Sequence, residues 1–454
     1  MSPGEAAATE RAPTPHGPPA ILRAFLAVGT AAVLAKAFAA GKDLFVASRY
    51  GVSEELDVFL AALLIPFFLV SVVAGSFAAV AVPAYLGALR AGGPEEGVRL
   101  VRLLAGRLLI ALAAAAAILL LASGPLVTLV ASGFSPEKRE ITRRCLVALT
   151  LLVPIAGLGS LWSAILNARG RFALPALLPS TTSVVTVLAL LLSGSTGAWV
   201  LVLATLAGAG AEGLVLILAL RRHRIPSAPL WRGTHVSVAP TLRQGWHLVG
   251  GSSILATTVV VDQSMAAMLG PGSVASLAYG SRLVAAISSL GAMALGTAAL
   301  PTLAAHAADC DWAALRATVR SVSRACLAVS IPVTVILIVL SRGIVAVWFE
   351  RGAFTAATGD TVASVQRLLL IQVPFFLVGI FYARLLAALG ASRALLWGNC
   401  LSVLLNVGLN LALMRRFGVP GIALSTSIVY VVALLYLRHM ANRRIAACER
   451  GQGS

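Results

Sequence analysis

The chain of 454 residues is 59% hydrophobic and only 11% charged, and its mean hydropathy is +0.93. These values exclude a soluble globular domain, in which about a quarter of the residues are charged, and indicate an all-α polytopic membrane protein. The formal net charge of +18 does not indicate a nucleic-acid partner, because the basic residues cluster between apolar segments rather than on one face with interleaved aromatics.

Apolar runs punctuated by charged residues, Gly and Pro predict about twelve transmembrane helices. Residues 1–20 are rich in Pro, Ala and Gly and are predicted to form a disordered tail. A first lobe (21–220) and a second lobe (240–440) are separated by a polar linker (221–239), and 441–454 form a second tail. The predicted helices are 21–49, 56–89, 103–131, 141–167, 173–194 and 198–220 in the first lobe, and 240–268, 274–305, 316–341, 361–389, 394–414 and 420–440 in the second.

The two halves of the sequence match each other in register. Asp43 lies eight residues before Gly51, and Asp262 lies eight before Gly270. Further pairs recur at offsets of 218 to 220: Pro83 and Pro301, Phe134 and Phe354, Pro154 and Pro374, and Gly170 and Gly390. Because each half has six predicted helices, the repeats are parallel and related by an axis along the membrane normal, as in secondary transporters whose lobes rock about a central site. Lys and Arg are more frequent in the loops on the side of the termini, which predicts that both termini are cytoplasmic.

Charged residues in the first predicted helix indicate a binding cavity. Lys36 precedes Asp43 by seven residues, or two helical turns, so the two side chains share a face, and Lys42 is adjacent. Since charge inside a membrane costs a few kcal/mol per residue, we interpret the lysines as a cationic wall for an anionic substrate, ordered by Asp43. The alternative is that the lysines extend to the headgroups beside one local ion pair.

Four other charged residues lie in apolar surroundings. Arg282 has no carboxylate within a turn of its own segment and is predicted to line the same cavity. Asp57 either caps the second helix or takes part in an ion pair or in coupling. Asp262 either pairs with a cation across the lobe interface or binds a coupling proton or Na⁺, the alternative being a structural polar contact. Glu212 lies among small residues and fits close helix packing equally well.

Catalytic and metal chemistry have little support in the sequence. The five cysteines are scattered without CxxC spacing, so neither a zinc site nor a disulfide framework is predicted. No HExxH, GxSxG or P-loop motif occurs, and no extramembrane loop is long enough for a catalytic domain. We therefore predict a non-enzymatic carrier without a cofactor, driven by the membrane potential, H⁺ or Na⁺.

Several segments resemble one known family. These are GKDLFVASRYG (41–51), LNARGRFALPALLP (166–179), WFERGAFT (348–355) and LNVGLNLALMRRFGVPGIALSTS (405–427). They are similar to the MurJ/MviN family of lipid II flippases, within the multidrug/oligosaccharidyl-lipid/polysaccharide exporter superfamily. Where that family shows Ala-Asp-Arg-Leu followed by Glu, this chain has Gly280-Ser281-Arg282-Leu283 and then Ala285, and twelve helices are predicted instead of the family's fourteen.

The resemblance implies a V-shaped two-lobe carrier in the bacterial cytoplasmic membrane. Such a carrier moves an undecaprenyl-diphosphate-linked peptidoglycan precursor, lipid II, to the outer leaflet by alternating access. A diphosphate headgroup suits Lys36, Lys42 and Arg282, and the partners expected are this lipid-linked glycan and membrane lipids, with the protein acting as a monomer. The alternatives are a flippase for capsule or exopolysaccharide precursors, a cation-coupled drug exporter and an integral-membrane glycan ligase.

Overall fold

The computed structural model describes residues 18–223, 225–298 and 311–450, and every regular element in these ranges is a helix. The helices are α1 Pro18–Tyr50, α2 Glu54–Leu69, α3 Gly75–Leu121, α4 Ser123–Val130, α5 Pro136–Leu149, α6 Leu152–Ala168, α7 Ala173–Ser193, α8 Ala198–Arg222, α9 Val238–Ala266, α10 Ser273–Ala298, α11 Trp312–Phe349, α12 Ala356–Leu370, α13 Gln372–Ala388, α14 Ser392–Phe417 and α15 Val419–Glu449. A π-helical turn, Val70–Ala74, joins α2 to α3, and a 3₁₀ turn, Ala267–Leu269, extends α9.

The described helices provide enough apolar length for a polytopic bundle. Nine helical segments of the described chain are long and apolar enough to cross a membrane, and ten when the bent pair α5 and α6 counts as one span. One of the nine, Glu54–Leu121, contains two arms, because Gly93 (φ 80°) interrupts α3 and a Cβ on Gly97 would lie 3.0 Å from the Tyr85 ring. With these arms counted separately and α1 included, the described segments match the twelve predicted from the sequence.

Prolines break one span in each half at corresponding positions. The helices predicted at 141–167 and 361–389 are each two helices in the structure, separated after Leu149 and after Leu370. Pro154 is the third residue of α6, and Pro374 is the third residue of α13. A proline lacks the N–H of the helical ladder and its ring collides with the carbonyl four residues earlier, so the helix ends just before it.

Other local features recur at the same offset. The Ser135 hydroxyl accepts a hydrogen bond from the Lys138 amide at the start of α5, and the Thr355 hydroxyl accepts one from the Thr358 amide at the start of α12. After α6 and α13 the chain leaves the helix through Gly170 and Gly390, with φ of 75° and 70°. Of the pairs predicted from the sequence, Pro83 and Pro301 cannot be compared because Pro301 lies outside the described residues, and the lobe limits stay a prediction.

Parts of the two predicted tails are helical in the described chain. Helix α1 begins at Pro18, within the segment predicted to be disordered, and residues 1–17 lie outside the described part. Helix α15 continues to Glu449, so 441–449 do not form a tail. Ala441 and Ile445 are buried against α11 and α13, and this burial explains why the helix extends beyond its apolar span.

The helices turn at two opposite ends of the bundle. We call one the Gly51 end, formed by the turns at 51–53, 131–135, 194–197, 270–272 and 350–355. The other is the Gly93 end, formed by Gly93, 169–172, 225–237 and 389–391. Between the ends, α3 packs along α9, with the Phe77 and Trp246 rings edge to face at a centroid distance of 5.3 Å. The hydrophobic core is continuous across this seam, so one side of the interface between the halves is filled by side chains.

Candidate functional site

A charged cluster lies where α1 of the first half approaches α10 of the second half. Asp43 Oδ1 lies 3.3 Å from Lys42 Nζ, and Asp43 Oδ2 lies 3.3 Å from Arg282 Nε. The Asp43 side chain is 17% exposed, whereas that of Arg282 is 47% exposed. Because the carboxylate lies between two cations, it orients both of them while part of the guanidinium stays accessible to a ligand.

Lys36 extends this charge toward the Gly93 end. It lies two turns before Asp43 on the same face of α1, about 10 Å away along the helix, and it is exposed. Within the described ranges Lys36 forms no ion pair. Lys42 and Arg282 thus contact a single carboxylate, and Lys36 adds a third cation two turns away on the same face. This wall has a net positive charge that suits an anionic ligand.

An apolar groove adjoins the cluster. It has a volume of about 540 Å³ and lies between α1 and α7, with Leu34, Phe38 and Phe45 on one side and Val184 on the other. Lys42 lines the same groove, so a cation stands beside an apolar channel. This combination fits a ligand with an anionic head and a hydrocarbon chain.

Asp57 lies away from this cluster and joins the two halves at the Gly51 end. It is 2% exposed, and its carboxylate accepts hydrogen bonds from the backbone amides of Gly272 (2.6 Å) and Ala275 (2.7 Å). These amides belong to the first turn of α10, where free N–H groups and the helix dipole favour a negative charge. The N-cap of its own helix is Ser53, whose hydroxyl accepts a bond from the Leu56 amide. Asp57 thus caps a helix of the opposite half rather than forming an ion pair within the described chain.

The loop 350–355 makes a second contact across the halves. The Ala353 amide donates to the Ser48 carbonyl oxygen at 2.8 Å. Gly352 has φ +60°, and a Cβ there would lie 2.2 Å from the same carbonyl oxygen. Arg342 pairs with Glu350 and with an aspartate of α12, which orders the loop. This role of the WFERGAFT segment was not predicted from the sequence, although a glycine in it is a signal for such a close approach of two backbones.

Asp262 lies in a polar network inside the second half. Its carboxylate accepts hydrogen bonds from Asn406 Nδ2 (2.9 Å), Asn410 Nδ2 (2.7 Å) and the Thr426 hydroxyl (3.0 Å). These partners belong to α14 and α15, and within the described part of the chain no cation pairs with Asp262. Asn410 Oδ1 is buried and has no partner there. Asn406 and Asn410, spaced i, i+4 in an apolar helix, are the signal that the sequence analysis missed.

The remaining candidate groups have simpler surroundings. Glu212 accepts a hydrogen bond from the Thr182 hydroxyl (2.7 Å), and Gly208 packs closely against Thr182, so this segment joins α7 to α8. Within the described residues, no group of three His, Cys, Asp or Glu side chains is placed to hold a metal ion. Of the predicted carboxylates, Asp43, Asp57 and Asp262 thus lie in three different settings: between cations, at a helix terminus and among neutral donors.

Comparison with known proteins identifies a consistent set of relatives. The family model described as "Lipid II flippase MurJ" matches residues 46–452. A "Probable lipid II flippase MurJ" of Synechocystis sp. is 25% identical over 449 residues, covering 93% of this chain and 82% of the relative, and one of Thermotoga maritima is 23% identical over 402 residues, covering 87% and 80%.

Solved structures show the same fold. A "Lipid II flippase MurJ, inward closed conformation" superposes with a TM-score of 0.78 at 21% identity, covering 91% of this chain and 87% of that one. A multidrug resistance MATE family transporter of the MOP superfamily in an inward-facing conformation gives 0.70 at 16% identity, covering 90% and 96%. The chain therefore shares the all-helical, multi-span fold of these two transporters, which confirms the predicted fold class.

Proposed function

This chain belongs to the MurJ family of lipid II flippases, and from that premise we propose that it moves lipid II from the inner to the outer leaflet by alternating access. The observation that carries the proposal is the cluster of Asp43, Lys42 and Arg282 at the interface between the lobes, with Lys36 beyond it. Guanidinium and ammonium groups are the usual ligands of phosphate oxygens in proteins. The site has three such cations and one carboxylate, so positive charge remains available for a phosphate.

The two parts of the substrate are held by different parts of the site. The diphosphate binds Lys36, Lys42 and Arg282, while the prenyl chain lies in the apolar groove beside Lys42 or in the surrounding lipid. Asp43 competes with the phosphates for both neighbouring cations, so it keeps them oriented in the empty carrier and releases them to the substrate. Substrate binding thereby loosens an ion pair that joins α1 to α10.

Alternating access follows from where the lobes are joined. In this structure Asp57 and the loop 350–355 hold the lobes together at the Gly51 end, whereas Lys36 is exposed on the Gly93 side of the cluster. Export requires these Gly51-end contacts to break while the lobes close at the Gly93 end. Both Gly51-end contacts consist of hydrogen bonds to backbone groups, and opening this end must admit water to the Asp57 carboxylate in place of its two amide donors.

The Gly93 end is the cytoplasmic end in this proposal, so both termini are cytoplasmic and the protein lies in the bacterial inner membrane. The basic segment 137–144 lies at the Gly51 end, where most of its cations are paired with carboxylates. Glu140 pairs with Arg143 (2.8 Å) and Arg144 (2.9 Å), and Lys138 pairs with Glu54 of α2. The remaining Lys and Arg bias supports the proposed orientation.

Asp262 is the proposed coupling group. Its carboxylate has no cationic partner within the described chain, so a proton or Na⁺ supplies the balancing charge. Carboxylate, amide and hydroxyl oxygens are ligands that Na⁺ accepts, and rotation of the Asn410 amide would turn its unpartnered oxygen toward such an ion. Because α9, α14 and α15 meet at Asp262, ion binding acts on the packing of the second lobe.

Complementation tests the function directly. The chain is expressed in a bacterium depleted of its own lipid II flippase, and outer-leaflet lipid II is measured with a membrane-impermeant binding probe. We expect growth and probe accessibility to be restored by the parent chain but not by Arg282→Ala at equal membrane abundance. Failure of the parent chain at normal abundance would favour a capsule or exopolysaccharide precursor as substrate, and transfer of glycan to a new acceptor would favour a ligase.

A further inference from the structure

A second basic cavity lies inside the second lobe at the Gly93 end, apart from the Asp43 cluster. It has a volume of about 540 Å³ and is enclosed by the first turns of α11, the last turns of α15 and Tyr382 of α13. Four arginines line it: Arg316, Arg320, Arg324 and Arg438. We call this cavity the arginine pocket, and it has no residue in common with the proposed substrate site.

The arginines of the pocket are poorly neutralised. Arg316 Nη2 lies 2.7 Å from Glu449 Oε2, but Arg320, Arg324 and Arg438 form no ion pair within residues 18–223, 225–298 and 311–450. Arg316, Arg320 and Arg324 are spaced i, i+4 and i+8, so they form a row on one face of α11. Like charges at this spacing repel each other, and an anion bound among them would remove the repulsion.

Neutral polar groups complete the pocket. The Ser323 hydroxyl is buried and has no hydrogen-bond partner among the described residues, and it lies between the arginines on α11. The Asn442 amide lines the opposite wall on α15. A hydroxyl, an amide and several guanidinium groups around one cavity are the donors that recognise a phosphate group.

The rest of the wall is apolar. Val319 and Leu327 of α11 and Ile445 of α15 line the same cavity, and Tyr382 is 6% exposed. These apolar surfaces do not contribute to the binding of an inorganic ion. A lipid, in contrast, can place its phosphate among the arginines and the start of its acyl chains against the apolar residues. Basic pockets between transmembrane helices on the cytoplasmic side are suited to such headgroups.

From this geometry we propose that the arginine pocket binds the phosphate group of an anionic phospholipid from the leaflet at the Gly93 end. The same chemistry accepts a soluble phosphate, and the experiment separates these two sources. A bound lipid joins α11 to α15 and thereby holds the second lobe to that leaflet while the first lobe moves. The site is independent of the substrate proposal because it needs neither Arg282 nor the lysines of α1.

The test uses the full-length chain in detergent, titrated with short-chain phosphatidylglycerol, short-chain phosphatidylcholine or inorganic phosphate. Bound lipid is counted by native mass spectrometry, and the thermal unfolding midpoint is recorded in parallel. The pocket variant is Arg320→Gln with Arg324→Gln. Its matched control is Arg90→Gln with Arg393→Gln, which removes the same charge from exposed positions at the same end.

We expect phosphatidylglycerol to bind the parent and the control equally and the pocket variant at least about tenfold more weakly, because only the pocket variant loses guanidinium groups that would donate charge-assisted hydrogen bonds to the phosphate. Competition by millimolar inorganic phosphate would identify a soluble phosphate as the ligand. Equal binding by all three proteins would overturn the site. If the pocket variant does not fold, Asn442→Asp provides the second test, because an internal carboxylate should raise the midpoint and abolish the lipid-dependent shift.

Discussion

At the scale of single residues, the two repeat-related aspartates have different surroundings. Asp43 contacts Lys42 and Arg282 at the interface between the lobes, whereas Asp262 contacts only neutral donors within one lobe. When a carboxylate lies between cations, an anionic substrate can replace it as their partner. A carboxylate surrounded by amides and a hydroxyl can instead bind a small cation. We therefore propose that the same residue type serves substrate binding in one half and ion coupling in the other.

Removal of the Arg282 guanidinium should weaken substrate binding. For Arg282→Ala we expect lipid II affinity to fall by about tenfold, because a charge-assisted hydrogen bond is lost at a partly exposed position. Binding to the purified carrier is the measurement. Arg415→Ala, which removes an exposed arginine from the end of α14, is the control and should bind normally. Equal affinities in the two variants would remove Arg282 from the substrate site.

Neutralisation of Asp262 should remove the dependence of transport on its coupling ion. Asp262→Asn keeps the shape of the side chain but cannot balance a proton or Na⁺, so we expect flipping to become insensitive to pH and to Na⁺. Flipping in vesicles is measured across a pH series and a Na⁺ series, with the exposed Glu137→Gln as the control for charge removal. An unchanged ion dependence in Asp262→Asn would show that the network is only structural.

At the scale of elements, the repeated breaks and turns determine where the lobes can touch. Pro154 and Pro374 divide one span in each half, and the chain enters α12 through the loop that contacts Ser48. Gly352 allows that loop to approach the backbone of α1, since any side chain there would overlap the Ser48 carbonyl. The loop contact at the Gly51 end, unlike that of Asp57, thus depends on one glycine.

A methyl group at Gly352 should prevent closure of the Gly51 end. Gly352→Ala adds the collision with Ser48 to the usual cost, about 1 kcal/mol, of a positive φ. Gly390→Ala is a matched control, because its φ is +70° but nothing lies within 4 Å of the added Cβ. We expect spin labels across the Gly51 end to show longer distances in Gly352→Ala only. Equal distance distributions in the two variants would contradict the role of this contact.

At the scale of the whole molecule, charge and contacts divide the bundle into two unlike ends. The Gly51 end holds the interlobe hydrogen bonds of Asp57 and Ala353, and its basic segment 137–144 pairs with carboxylates. The Gly93 end contains the arginine pocket, and the exposed Lys36 lies on the side of the Asp43 cluster that faces this end. This asymmetry agrees with the proposed orientation, in which the carrier loads its substrate at the Gly93 end.

The orientation can be tested by reporter fusions to the full chain. Fusions at residue 230 in the linker and after residue 454 should report the cytoplasm, and a fusion at Ser195 should report the outside. An even number of spans with the Lys and Arg bias predicts this pattern. A cytoplasmic signal from Ser195 or an external signal from the C-terminus would invert the transport direction proposed here.

Much of this molecule is determined by the sequence alone. Apolar length specifies membrane helices because backbone polar groups must be satisfied within each span, and the offset of about 220 residues specifies two similar lobes. Lys36, Lys42, Asp43 and Arg282 could be selected because charge is rare and costly in a bilayer. Residue type and local spacing are sufficient for inferences of this kind.

The partners of those residues were decided only by the tertiary structure. Asp57 meets the amides of Gly272 and Ala275, which are 215 and 218 residues away, and Asp262 meets side chains 144 to 164 residues away. Every residue except proline has a backbone N–H, so residue types do not indicate which amides bind a carboxylate. The rotation of each helix about its axis, in turn, depends on the packing of all its neighbours. For that reason the sequence could indicate which carboxylates to consider, whereas helix packing within a lobe and the docking of the two lobes determine whether each meets a set of neutral donors, a cation or a helix terminus.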